Sequence, residues 1–177
     1  MRRKMMIVFL GVFTISAVTA QEAGPSVVEV KKGGYSLEMP ADWPVKDKDI
    51  KAGNIVSTIP IGDGITLEFR VMKAKGKYDA LKKDLAKNFK KEYFKANELG
   101  KGEIKTVIAP VCQVVNGLEL CSAVMQYAYK YHEYRVYFGV FKTKAGVYKV
   151  FFVCKADAYD YFFDQAKIPL GSLKALQ

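Results

Sequence analysis

Short stretches of the chain alternate between apolar and polar residues, which is the pattern of half-buried β-strands. The clearest stretch is residues 65–72, where Leu67, Phe69 and Val71 share one face and more polar residues share the other. Further short strands are predicted at residues 27–30, 35–39, 54–59 and 104–108. The pattern therefore predicts a fold that is rich in β-structure.

Two later stretches, residues 134–142 and 147–154, are apolar on both faces. In the first of them Val136 and Phe138 lie on one side and Tyr137 lies on the other. Strands of this kind occur where both faces of a sheet are covered, so they predict central strands with helices on both sides. Because consecutive strands are joined by short turns, the sheet is predicted to be mainly antiparallel.

A spacing of three to four residues between apolar positions predicts a long helix over residues 77–98. Its apolar stripe comprises Tyr78, Leu81, Leu85, Phe89, Tyr93 and Ala96. Lysines lie off this stripe, among them Lys83, Lys87 and Lys90. Such a face is usually a solvated surface, and the alternative is contact with an anionic partner.

A second helix is predicted near the C-terminus, from residue 158 to about residue 167. Asp157 is predicted to be its N-cap, and Pro169 is predicted to interrupt it. The predicted fold class is α+β. Its predicted architecture is an α/β/α sandwich, in which a central, mainly antiparallel sheet carries the long helix on one face and the C-terminal helix on the other. A one-sided α+β roll is the alternative.

The strongest turn signal is Asn116-Gly117, which lies between apolar and β-branched residues. Asn-Gly accepts positive φ at both central positions of a type I′ turn, so a two-residue hairpin is predicted. Its register places Cys112 opposite Cys121 at a non-hydrogen-bonded pair, where Cα atoms are about 4.5 Å apart. We therefore predict a disulfide between them; the alternative is two reduced core cysteines. Cys154 lies in an apolar run and is predicted to be a buried, unreactive thiol.

The amino terminus has the three parts of an export signal. Basic residues occupy positions 2–4, an apolar stretch covers residues 5–18, and small residues end at Ala20. Residues 1–20 are therefore predicted to be a signal peptide that is cleaved between Ala20 and Gln21. The protein is predicted to be exported, either to the periplasm or out of the cell, and not to span a membrane once it is processed. An uncleaved anchor is the alternative.

Beyond the signal, residues 21–26 are predicted to be a disordered leader and residues 27–177 one globular domain. The whole chain has a net charge of +10, and since the signal holds +3 of it, residues 21–177 carry +7. Half of the residues are hydrophobic, which argues against a disordered chain. The positive charge attracts anionic surfaces such as phospholipid or lipopolysaccharide. Export argues against nucleic acid as a partner, although the same charge would attract it.

The sequence contains no motif typical of catalysis, of a metal site or of a cofactor. The single histidine, His132, lies at a predicted turn, and no Gly-rich phosphate loop occurs. Asp160 and Asp164 share a face of the closing helix and could hold a metal ion, but acids near a helix N-terminus also complement its dipole. We predict no catalytic residue, metal or cofactor, and expect that the protein is not an enzyme. An enzyme of unrecognised type remains the alternative.

An aromatic run follows the hairpin. Tyr127, Tyr129 and Tyr131 alternate along one predicted strand, and Arg135 returns beside them. Such a group could stack a sugar or grip a peptide, or it could cover the sheet beneath a helix. Together with the three helix lysines named above, these residues form the candidate partner surface.

Several of these features together resemble a known family. They are the segment Tyr-Ser-Leu-Glu-Met-Pro-Ala-Asp-Trp at residues 35–43, the lysine-rich helix that follows, the turn at residues 114–118, and Gly-Ser-Leu at residues 171–173 after the closing helix. Over residues 35–173 the chain resembles the PsbP-like group, which includes bacterial periplasmic proteins of the DcrB type. The resemblance implies an α/β/α sandwich used for binding or assembly, and it carries over no shared catalytic residue.

The sequence thus favours an exported, non-enzymatic binding or assembly module of the bacterial cell envelope, with an envelope protein as its partner. The alternative is an electrostatic binder of anionic envelope surfaces that acts through the helix at residues 77–98.

Overall fold

The computed structural model describes residues 24–62, 65–90, 104–129 and 131–177. The predicted signal peptide with its cleavage site, and residues 91–98 of the predicted long helix, lie outside the described residues. Among the residues that are described, no helix is long and apolar enough to cross a membrane.

Strands dominate the described chain. They are β1 (Ser26–Val30), β2 (Tyr35–Met39), β3 (Ile55–Gly62), β4 (Ile65–Lys73), β5 (Ile104–Val115), β6 (Leu118–Tyr129), β7 (His132–Thr143), β8 (Gly146–Lys155) and β9 (Lys174–Ala175). The helices are α1 (Asp47–Ala52), α2 (Tyr78–Lys83), α3 (Leu85–Phe89) and α4 (Tyr159–Ser172).

The strands form two antiparallel sheets. The main sheet has the order β3-β4-β8-β7-β6-β5, and a small sheet has the order β1-β2-β9. Every paired neighbour in both sheets runs antiparallel. The predicted α+β class with a central antiparallel sheet is confirmed, and β7 and β8, apolar on both faces, lie at its centre as predicted.

Separate clusters of buried side chains cover the two faces of the main sheet. On one face α4 packs over Phe152 and Tyr137, and Trp43 joins the same cluster. On the opposite face α2 and α3 contribute Leu81 and Phe89, which pack with residues of β6, β7 and β8. Helices therefore lie on both faces, and the one-sided roll does not describe the fold.

The small sheet joins the two ends of the domain. β1 and β2 confirm the early strands, whereas β9, which the sequence did not reveal, pairs with β2. The backbone N–H of Leu176 donates to the carbonyl oxygen of Gly34 at 3.0 Å. The backbone N–H of Glu38 also donates to Ser172 Oγ at 2.8 Å, so β2 holds both the C-terminal strand and the end of α4.

The predicted hairpin is confirmed in turn and register. Asn116 and Gly117 have φ values of 47° and 82°, as a type I′ turn requires. Cys112 pairs with Cys121 across β5 and β6, and a disulfide joins them with their Cα atoms 3.9 Å apart. Cys154 is buried and free, as predicted.

The prediction of one continuous helix from residue 77 is wrong. Asp84 has φ −142° and ψ 75°, which is not helical and ends α2. Its carboxylate accepts a hydrogen bond from the backbone N–H of Lys87 at 3.0 Å, so Asp84 caps a new helix, α3. The apolar stripe nevertheless faces the sheet as predicted, since Leu81, Leu85 and Phe89 are buried.

The C-terminal helix also differs from its prediction. Asp157 is not its N-cap: Ala158 occupies that position, without a side-chain cap. Pro169 does not interrupt α4, which continues to Ser172, because the buried Pro169 and Leu170 hold the last turn against the core. Ser172 Oγ further donates to the carbonyl oxygen of Ile168 at 2.7 Å.

The charged composition of residues 47–51 predicts a loop, and a turn is predicted at His132-Glu133. Both predictions are wrong. The charged segment at residues 47–51 forms helix α1, which Gly53 ends with a left-handed φ of 91°. The turn that was expected at His132-Glu133 lies earlier, because β7 already begins at His132.

Trp43 should be a main contributor to stability. Its side chain is 3% exposed and its ring is parallel to that of Phe152 at 6.2 Å. Trp43 Nε1 donates to Gln165 Oε1 at 3.2 Å. We expect Trp43→Ala to lower the free energy of unfolding by about 3–5 kcal/mol, measured by urea denaturation followed by circular dichroism. Gln165→Ala, which removes only the hydrogen bond, should cost about 1 kcal/mol; equal losses would contradict the packing role.

The Cys154 thiol should not react in the native protein. It is completely buried, and burial raises its pKa to about 11, so at pH 8 very little thiolate forms, and thiolate is the reactive species. With the disulfide intact, iodoacetamide should label no thiol in the folded protein and one thiol after unfolding, as counted by intact mass. Labelling of the native protein would show that Cys154 is accessible.

Candidate functional site at the edge strand β5

β5 is the exposed edge of the main sheet. It pairs with β6 on one side, and the described residues provide no strand on the other. All of its positions except the two ends are exposed. Several are large apolar residues: Val107, Ile108, Val111 and Val114 are 45–75% exposed. Because an exposed apolar edge can pair with another strand, β5 is the part of the described surface best suited to a protein partner.

Two irregularities divide this edge. The register with β6 shifts between Thr106 and Ile108 and again between Ile108 and Val111. Pro110, which has no N–H, lies within the second irregularity. Bulges and proline limit indiscriminate pairing at sheet edges, so the regular part of the edge is the segment from Val111 to Val115.

Within that segment the backbone groups alternate in direction. The pair next to the turn, Val115 with Leu118, is hydrogen-bonded in a two-residue hairpin, and pairs then alternate along the ladder. The N–H and C=O groups of Val114 and Cys112 consequently point away from β6. These are the groups to which an added strand would bond.

A groove runs beside this edge, between β5 and the C-terminal half of α4. Its volume is about 370 Å³, and it is lined by apolar groups of Ile108, Val111, Tyr137, Phe163 and Leu170. Gln113, Ser122 and Lys167 supply polar groups. The size and the mainly apolar lining are those of a ligand pocket.

The hairpin turn holds β5 against α4. The Asn116 side-chain amide donates to the carbonyl oxygens of Gly171 at 2.9 Å and Leu173 at 3.2 Å. The residue that shapes the turn thus also fixes the end of the helix that forms the other wall of the groove.

The tyrosines of the candidate partner surface do not share one exposed face. Tyr127 is 4% exposed, and its ring stacks on Tyr134 at 5.4 Å and packs near Phe89 at 6.4 Å. Tyr129 is half-buried, whereas Tyr131 is 99% exposed. Tyr127 therefore packs in the core beneath α3, which agrees with the alternative that these aromatic residues cover the sheet under a helix.

Arg135 lies on the opposite face of the sheet. Tyr127 pairs with Tyr134, so the next residue, Arg135, points to the α4 side. Its Nη1 lies 3.3 Å from an Asp160 carboxylate oxygen, and its Nε donates to Gln126 Oε1 at 3.2 Å. The sheet thus separates Arg135 from Tyr127.

The lysines of α2 and α3 differ in whether they form ion pairs. Lys82 contacts Glu119 at 3.2 Å and Asp79 at 3.5 Å, and the Glu119 hydrogen bond is the largest cause that raises the pKa of Lys82. Three others are exposed, namely Lys83, Lys87 and Lys90. In the described part of the chain no ion pair joins those three to a carboxylate.

The carboxylates of the closing helix are occupied. Asp160 pairs with Arg135, and Asp164 Oδ1 lies 2.6 Å from Lys167 Nζ. No group of three metal-ligating side chains among the described residues contains Asp160, Asp164 or His132, and none of the three lines the groove. The geometry gives no support to an active site built on them.

Sequence reasoning missed β5 as the exposed edge. The signal was present in Pro110, because proline within a strand pattern marks an edge strand or a bulge. The apolar residues on both sides of it looked like core residues, and only the strand order shows that they are exposed.

No family model and no curated protein matches the sequence. Solved structures share the fold. Cyanobacterial PsbP from Synechocystis is 14% identical, with a TM-score of 0.57 over 96% of this chain and 98% of that one. A Pseudomonas aeruginosa protein of unknown function, described as a putative regulator, is 10% identical, with a TM-score of 0.54 over 88% and 99%.

LpqN of Mycobacterium tuberculosis, described as involved in cell envelope biogenesis, is 12% identical, with a TM-score of 0.51 over 81% of this chain and 83% of that one. At these identities the likeness concerns the fold and not the activity. The predicted resemblance is confirmed at that level: the chain has a PsbP-like fold.

Proposed function

We propose that this protein is an exported, non-enzymatic binding module of the bacterial cell envelope, and that it binds an extended apolar segment of a partner protein along β5. The observation that carries the proposal is the exposed apolar edge beside the groove of about 370 Å³. One structural neighbour is described as a protein of cell envelope biogenesis, which fits this setting.

Strand addition supplies both affinity and specificity. An extended segment that pairs with β5 would bond to the outward N–H and C=O groups of Cys112 and Val114, while its alternate side chains entered the groove. Val111 and Gln113 project to the groove side and would meet those side chains. The segment should therefore be apolar at every second position.

Charge adds a further preference. Residues 21–177 carry +7; Lys167 at the groove is paired with Asp164, so this preference rests on the net charge of the domain. A positive surface selects an acidic partner and speeds association with it. We infer a partner segment that is apolar in its centre and acidic at its flanks.

The first test is site-specific photocrosslinking in envelope extracts. A photoreactive residue replaces Val114 on β5 (75% exposed) or, as the matched control, Val27 on β1, which is also well exposed (62%). We expect a discrete protein adduct from position 114 alone, which persists at high salt because the contact is mainly apolar. Identical adducts from both positions would reject β5 as the docking edge.

A charge in the groove should abolish binding while the fold survives. Val111 is 54% exposed, so Val111→Asp should change the free energy of unfolding by no more than about 0.5 kcal/mol. Capture of the partner identified by crosslinking should fall at least about tenfold, because the carboxylate loses water on binding. Val27→Asp is the control. Unchanged capture by folded Val111→Asp would contradict the proposal.

A second candidate function is binding to anionic envelope surfaces. The observation that favours it is the exposure of Lys83, Lys87 and Lys90 without ion pairs to described carboxylates. Lysines near an anionic membrane contribute about 1 kcal/mol each. The two functions use different parts of the surface, so each can be tested alone.

Charge reversal separates a local lysine surface from net charge. We expect Lys83→Glu, Lys87→Glu and Lys90→Glu together to reduce binding to phosphatidylglycerol vesicles at least about tenfold. The matched control reverses Lys46, Lys48 and Lys51, which are exposed around α1 and give the same change in net charge. Equal loss in both triple variants would show an effect of net charge only, and no loss in the first would exclude this surface.

A further inference from the structure

Three potential metal ligands meet at the base of the hairpin. The sulfur atoms of Cys112 and Cys121 and a carboxylate oxygen of Glu119 all lie within 4.8 Å of one another. Cys112 is directly opposite Cys121. Glu119 lies two residues before Cys121 on β6, so both side chains project from the same face of the sheet.

The disulfide occupies both sulfurs, but its reduction would leave them suitably spaced for a metal ion. Zinc–sulfur bonds of about 2.3 Å at tetrahedral angles place two sulfurs about 3.8 Å apart. The two Cα atoms are 3.9 Å apart in the disulfide, and an unlinked non-hydrogen-bonded pair relaxes toward about 4.5 Å. Each sulfur is two bonds from its Cα, so once the disulfide is reduced, rotation about χ1 can bring the two sulfurs to this distance without a change of register.

The groups around Glu119 are compatible with its use as the third metal ligand. Glu119 is exposed, and its carboxylate is held by Lys82 Nζ at 3.2 Å. Lys82 also contacts Asp79 at 3.5 Å, so it keeps one partner if Glu119 turns toward a metal. Tyr78 Oη lies 3.5 Å from Cys121 Sγ, close to where a bound ion and its water would lie.

We propose that reduction of the Cys112–Cys121 disulfide creates a zinc-type site, in which the two thiolates, the Glu119 carboxylate and one water bind a thiophilic divalent cation. A dithiol reductant supplies two electrons and two protons to the disulfide and is itself oxidised to a disulfide. Metal binding then releases the two thiol protons. The oxidised protein has no thiolate to offer and does not bind. The site shares Cys112 with the docking edge, but it uses the Cys112 side chain, whereas an added strand would bond to the Cys112 backbone.

Cobalt and zinc test the proposal on the full-length folded protein. The protein is reduced with a water-soluble phosphine, because a dithiol would itself bind the metal. Co²⁺ is then titrated while the thiolate-to-cobalt charge-transfer absorption is followed, and Zn²⁺ is used to displace it. We expect one ion per reduced chain, a band intensity typical of two thiolates, and no band with the oxidised protein.

Variants identify the ligands. Cys154→Ser should bind as the wild type does, since that thiol is buried elsewhere. Cys112→Ser should lose the two-thiolate band. Glu119→Gln, which keeps both thiols, should weaken zinc binding at least about 10-fold, since even residues that only orient a metal ligand contribute about 10- to 100-fold. Absence of a band in the reduced wild type, or unchanged affinity in Glu119→Gln, would overturn the site. Loss of the strand signal in circular dichroism on reduction would also overturn it, because the proposal requires the hairpin to persist.

Discussion

The structure depends on one constraint: β7 and β8 are apolar on both faces and cannot leave either face in water. Phe152 on one side and Phe151 on the other are both buried, in different clusters. Each face therefore requires a cover, which α4 provides on one side and α2 with α3 on the other. With β7 and β8 at the centre, β3 and β5 are left at the two edges of the main sheet.

The sequence predicted local features of the fold well and features that depend on tertiary contacts poorly. The register of the hairpin was predictable because Asn116 and Gly117 determine the turn, and a two-residue turn determines every pair beyond it. The faces of β4 followed from strict alternation, and the stripe of Leu81, Leu85 and Phe89 followed from helical spacing. These features depend on a few neighbouring residues, which the sequence displays directly.

The remaining features depend on competition between local and tertiary effects. Asp84 has no helix-breaking signal as strong as proline, yet its carboxylate bonds to the Lys87 backbone and starts a new helix. Pro169 has such a signal, yet burial overrides it. The candidate site was missed for a similar reason. The exposure of β5 depends on the strand order. In the predicted partner surface, Tyr127 is buried in the core, and Arg135 lies on the opposite face of the sheet.

The hydrogen bonds of Asn116 have a consequence for how the groove can work. One amide group spans the hairpin turn and the end of α4, so the two walls are fastened to each other at one end. The distance between β5 and α4 is therefore already set in the free protein, and a bound segment does not have to create it. Such preorganisation would lower the ordering cost of association, because the distance between the two walls is set before any side chain enters.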